Sequence, residues 1–255
     1  MRTLINWKIY FILLIGAVLS SLAVLPYALA LQPGIQTDIS TLIIQQIIQG
    51  GAIFAVMIFL GMILMKRIGL STPILDLVTK GESASEILRR ILPISIVLGV
   101  AVGLVIIGLD FAFRPILLNE LGDKADLLKQ GVQPAAWKGF LASFSGGIGE
   151  EIQLRLFLMS LLAWFGSFIS RTSEGKPTSA VFWIANILAA IIFGLGHLPA
   201  MATILPLTLL VVIRTVMLNM IGGITFGWLY QTRGLESAMV AHFSADVVLH
   251  VLLAL

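Results

Sequence analysis

Long apolar runs, parted by short basic or polar segments, leave this chain few folds to choose from. Ile9 to Leu31 and Thr41 to Met65 hold no charged residue, and each reaches the ~20 residues that a helix needs to cross a bilayer. In hydrocarbon every backbone N–H and C=O must find its partner inside the protein, which restricts spanning elements to helices and closed barrels. The apolar/polar alternation of barrel strands is absent. Composition agrees: 58% of residues are hydrophobic, 11% are charged and the mean hydropathy is +1.04, where a soluble domain carries roughly 25% charged residues. The expected fold class is all-α, a polytopic transmembrane helix bundle.

Taken in order, the runs predict about seven spans. The first, Ile9 to Leu31, follows Arg2 and Lys8 and holds Ala28-Leu29-Ala30, which imitates a signal-peptidase site. It is too long for a signal h-region of ~7 to 15 residues and is expected to stay as a helix. The others are Thr41 to Met65, Ile91 to Ile107, Gly139 to Ser170, Ser179 to Gly196, Ala202 to Tyr230 and Ser237 to Leu255. Lys66 to Arg90 and Asp110 to Lys138 read as polar connections, and a turn is expected at Pro33-Gly34. An eighth span is the alternative, with Pro199 and Pro206 starting a half-helix that turns back near Arg214.

A cytoplasmic N-terminus places ten basic residues inside (2, 8, 66, 67, 80, 89, 90, 171, 176, 233) and four outside (114, 124, 129, 138), the asymmetry expected of a membrane protein. That explains the net charge of +3 and the pI near 9.4 without a nucleic-acid partner. With no cysteine, disulfides and thiolate chemistry are excluded. The expected organisation is N-terminal helices and loops over residues 1–138 and a helix core bearing the chemistry over 139–255.

The exception to apolarity is Gly149 to Arg155, GEEIQLR. Ionisable groups inside a span are expensive, so they mark function. Glu151 and Arg155 stand four apart on one helix face, in the favourable acid-then-base order. Glu150 is turned by about 100° and has no cation at that spacing. The pattern predicts a neutralised Glu151–Arg155 pair and a free Glu150 carboxylate. Two of the chain's three histidines, His197 at the end of the fifth predicted span and His242 in the seventh, sit at the ends of motif-like stretches. A carboxylate and two imidazoles on three packed helices supply what is needed to activate a water for attack on a carbonyl. His250 lies outside any motif and reads as structural or supporting.

These residues fit a known pattern: EEIQLR matches EExxxR, Phe193 to His197 matches FxxxH, and His242 to Asp246 matches HxxxN/D, in order on consecutive helices. The chain resembles the CPBP family of intramembrane proteases, which includes the type II CAAX prenyl endopeptidases, over roughly Gly139 to the C-terminus. The resemblance implies an endopeptidase that cuts at or within the bilayer. It also implies Glu150 and His197 as water activators, His242 with Asp246 for the oxyanion, and Glu151, Arg155 and Phe193 as supporting residues. Asp246 departs from the Asn that many of those enzymes carry: an ionised Asp accepts and cannot donate. It therefore orients His242 or binds a cation, and two mechanisms stay open: metal-free water activation, or zinc held by Glu150, His197, His242 and Asp246. The expected partners are membrane lipid and a peptide or membrane-protein substrate, prenylated or not, in a bacterial or archaeal cell membrane. The competing classes are a transporter relaying ions through Glu150, Arg155, Arg214 and Asp246, which would carry internal repeats, and a catalytically idle scaffold of the immunity type.

Overall fold

The computed structural model describes residues 5–32, 38–125 and 134–255. Asn6 opens α1 (Trp7–Ala23) by accepting from the backbone N–H groups of Lys8 and Ile9, the side-chain cap that an N-terminus requires. Ile9, Leu13, Ala17 and Ser20 form its buried stripe, at the spacing of one helix face. After Val24 the chain continues as α2 (Leu25–Leu31), with Pro26 in the first turn, where its missing N–H leaves no bond unmade. The expected turn at Pro33-Gly34 lies outside the described residues.

The second predicted span is α3 (Ile39–Gln45), a π-helical turn (Gln46–Gly50) and α4 (Gly51–Arg67), ending on Lys66 and Arg67. Cations there suit the negative end of the helix dipole. A short α5 (Pro73–Val78) follows, and then α6 (Ser85–Leu121), which departs from expectation. The sequence reads as span only over Ile91 to Ile107, yet the helix carries through Pro93 and Pro115 into the stretch expected to be a polar loop. Asp110 explains the extension, because its carboxylate accepts from Arg214 Nε at 2.7 Å. Each charge thus removes the other's reason to leave the helix.

Residues 136–166 form one continuous helical run: α7 (Ala136–Phe144), π-helical turns over Ser145–Glu150 and Ile152–Met159, and α8 (Ser160–Gly166). Then come α9 (Ser179–Gly196), a short α10 (Leu198–Ala202) and α11 (Leu209–Arg233). The sequence joins these last two into one span from Ala202. They are separated by a break around Pro206, whose ring cannot supply the N–H that a continuing helix needs. Arg214 lies inside α11, so the alternative turn at that position is not formed. Gly234, at φ 94°, reverses the chain into α12 (Leu235–Asp246), which runs on through a π turn (Val247–Val251) and a final 3-10 turn (Leu252–Ala254).

Among the described residues, six helical segments are long and apolar enough to cross a membrane. The seventh expected span is the run over 136–166, where Lys138, Glu150, Glu151 and Arg155 load every bilayer-length stretch with charge. One hydrophobic core draws on both halves of the chain, from Ile9, Leu13, Phe54, Ile58 and Met62 to Ile152, Leu156, Phe226 and Ala241. Large apolar side chains such as Ile15, Leu19, Val56, Val97, Leu104 and Ile184 face outward, the surface that lipid rather than water covers. The chain is an all-α, multi-pass integral membrane bundle.

Candidate active site

Small residues bring the run 136–166 against α12. A Cβ on Gly146 would collide with Asp246 Oδ2, one on Gly139 with the His250 carbonyl, and one on Gly147 would stand 2.9 Å from Phe243 Cβ. The two backbones meet only because these positions lack side chains. The π-helical turns fall at this crossing; such insertions recur at functional positions because they redirect the residues around them. Here they aim the adjacent acids at the two sides of one imidazole.

That imidazole is His242, buried on α12. Its Nδ1 lies 2.8 Å from Glu151 Oε1, and a carboxylate can only accept, so Nδ1 carries the proton and Nε2 faces the other way. Nε2 stands 3.8 Å from Glu150 Oε2 and 3.7 Å from Asp246 Oδ1, too far for direct hydrogen bonds and within reach of one bridging group. The ring stacks on Phe226 at 4.6 Å and meets the edge of Phe193 at 5.7 Å. Two aromatic walls and one carboxylate thus hold its orientation.

Glu151 and Arg155 pair as the spacing predicts, with Oε2 3.3 Å from Nε and side chains 0% and 1% exposed. Arg155 Nη2 donates to the Gly223 carbonyl at 2.9 Å. Its guanidinium lies 5.5 Å and 5.8 Å from the Phe193 and Phe226 ring centres, close enough for cation–π attraction. Arg155 Nε and Nη1 and Glu151 Oε2 have no hydrogen-bond partner in their own right, so the 3.3 Å contact is Coulombic rather than a formed hydrogen bond. Glu150 keeps 32% of its side chain open.

His197 stands apart from this group. Its Nδ1 donates to the Phe193 carbonyl at 2.9 Å and its ring packs edge-on against Phe193 at 4.7 Å, which leaves the Nε2 lone pair unengaged. No ion pair joins it to Glu150 among the described residues. The structure thus brings together Glu150, Glu151, Arg155, Phe193, His242 and Asp246, and attaches His197 through Phe193.

Three residues at the site carried no sequence signal. Phe226 lies in a generic apolar helix, and the Gly223 carbonyl is backbone. The Tyr27 hydroxyl and His250 Nδ1 lie within hydrogen-bond distance, 3.1 Å apart across 223 residues; neither falls in a motif.

Among the described residues, no group of three or more His, Cys, Asp and Glu side chains converges as metal ligands would. His197 and His242 each engage Nδ1, with the Phe193 carbonyl and Glu151 respectively, and each keeps Nε2 free.

Residues 132–248 match the family model described as Type II CAAX prenyl endopeptidase Rce1-like. That segment is similar to the Rce1-like type II CAAX prenyl endopeptidases. It contains the entire Glu150–His242–Asp246 cluster together with Phe193 and His197, and it excludes Tyr27 and His250. No curated protein and no solved structure matches the chain at a significant level. The Rce1-like segment within a multi-pass bundle supports a membrane-protease reading of the site.

Proposed function

We propose that the chain is an intramembrane endopeptidase that hydrolyses a peptide bond with a water activated by Glu150. The observation that carries the reading is the division between the two acids: Glu151, fully buried, holds one nitrogen of His242, while Glu150, one third open, faces the other. In the proposed reaction Glu150 takes a proton from water, whose oxygen bonds to the scissile carbonyl carbon. A protonated His242 donates its Nε2–H to the resulting oxyanion, its charge balanced by Glu151 and Asp246. Collapse breaks the C–N bond, and the proton held by Glu150 passes to the leaving amine. Proton transfer rests on Glu150 alone in this scheme, because His197 contacts Phe193 instead. His197 remains the second acceptor that the family resemblance implies, to be tested by its own substitution.

The substrate is a peptide or membrane-protein segment, prenylated in the closest form of the family resemblance. The test is cleavage of a quenched prenylated peptide and of its unprenylated counterpart by the purified chain, with Glu150→Ala as control and each reaction repeated with chelator. Cleavage that needs Glu150 and survives chelation is the expected result. An inactive parent would favour the idle scaffold, and chelator sensitivity would restore the metal reading.

A further inference from the structure

At the end of the bundle away from His197, several basic residues gather where Asn6 meets Thr79, Arg67 lies over Trp164, Gly69 meets Lys176 and Gly234 meets Pro73. A cavity of about 340 Å³ opens there between the start of α6 and the end of α11. Arg90 and Arg233 line it from different helices, with Ser71, Gln231 and Thr232 among the remaining walls, and no carboxylate is part of its lining. Among the described residues neither arginine has an ion-pair partner, and Arg233 Nε is buried with no hydrogen bond. A buried Nε–H without an acceptor is costly, and an anion with several oxygens can relieve it while also meeting the open donors of both guanidiniums.

The rim is built rather than incidental. Leu235 N donates to the Ser71 carbonyl at 3.2 Å, and Glu236 Oε1 accepts from the Ile74 and Leu75 amides at 3.0 and 2.9 Å. Glu236, a nearby buried acid, thus ties Oε1 to α5, and its Oε2 has no hydrogen-bond partner among the described residues. Gly234 allows the approach, since a Cβ there would overlap the Pro73 ring.

The cavity also lies where the apolar span Leu209–Arg233 ends, the level at which lipid headgroups meet a bundle. We propose that Arg90 and Arg233 form a binding site for a phosphate group, supplied by an anionic membrane lipid. The bifurcated donors of two guanidiniums match phosphate oxygens, and an anionic leaflet presents that group at high local concentration. The site is independent of the peptidase reading, and neither arginine belongs to the Glu150–His242 cluster.

The experiment is lipid retention by the delipidated full chain, read by native mass spectrometry and melting temperature. Phosphatidylglycerol, phosphatidylcholine and inorganic phosphate are added separately to the parent, Arg90→Gln, Arg233→Gln and Arg233→Lys. The parent should retain phosphatidylglycerol over phosphatidylcholine and melt higher with it. Each Gln variant should bind it about fivefold more weakly, the weight of one basic residue at an anionic surface, and Arg233→Lys should fall between. Stabilisation by inorganic phosphate alone, lost in the same variants, would uphold the phosphate site and assign its supply to solution. Unchanged phosphatidylglycerol preference in Arg90→Gln, which is exposed and free to change without unfolding, would overturn the site. So would a parent that responds to neither lipid nor phosphate.

Discussion

Glu150 and Glu151 are neighbours in sequence and opposites in circumstance, one 32% exposed at its side chain and the other 0%. Glu150→Gln keeps shape and removes the base, so cleavage should fall by roughly 10²- to 10⁴-fold, the usual weight of general-base catalysis, with an unchanged melting temperature in detergent. Glu151→Gln should lose activity and stability together. It strips the carboxylate from buried Arg155 and from His242, and breaking a buried pair costs about 3–5 kcal/mol. Equal catalytic losses with unaltered melting in both variants would contradict this division. The Glu151–Arg155 pairing was legible in sequence because i,i+4 geometry is local. The hold of Glu151 on His242 was not, because it spans 91 residues. Sequence reasoning offered Asp246 as the residue that orients His242 or binds a cation, because an ionised Asp can only accept where the usual Asn can donate. At 3.7 Å Asp246 makes no direct hydrogen bond with the ring, and the orienting role falls to the acid that had seemed spent on Arg155.

An element can be read from hydropathy only where its charges stay unpaired. Asp110 looked like the start of a loop because its partner, Arg214, is 104 residues distant; joined, they let α6 continue and α11 pass without a turn. Arg214 is 15% exposed and Asp110 44%, so the two should not be equivalent. Asp110→Ala, which strands the more buried cation, should destabilise by about 1–3 kcal/mol, and Arg214→Ala by less; the measurement is thermal unfolding of both in one detergent. The run over 136–166 poses a different problem, since glycines in a sequence do not say what they face. Here they mark the closest approach to α12, which only the second helix reveals. In Gly146→Ala the new methyl meets Asp246 Oδ2, with His242 Nε2 3.0 Å away, and overpacking of this kind costs about 1–3 kcal/mol. Cleavage should be nearly lost while the chain still folds, and full activity in this variant would show that the crossing yields where the structure has it tight.

For the molecule as a whole, the all-α membrane class follows from backbone hydrogen bonding in hydrocarbon, which is why it could be read before any contact was known. Which helices touch could not, because outward and inward faces are both apolar here and no amphipathic stripe sorts them. Sidedness is the remaining whole-chain property, and the basic residues argue it. Lys66, Arg67, Arg89, Arg90, Arg171, Lys176 and Arg233 collect at the end where α4 stops, α6 and α9 begin and α11 stops, and the positive-inside rule predicts a cytoplasmic location for that end. The chain has no cysteine, so single thiols report position without background. Glu82→Cys, Glu174→Cys and Thr232→Cys, all at exposed positions of the basic end, should react with a membrane-impermeant maleimide only after the cytoplasmic face is opened. Asp123→Cys, exposed just beyond the far end of α6, should react in intact cells. A mixed pattern among the first three would mean that the helices do not share one end, whereas a uniform inversion would keep the fold and place the Arg90–Arg233 cavity in the opposite leaflet.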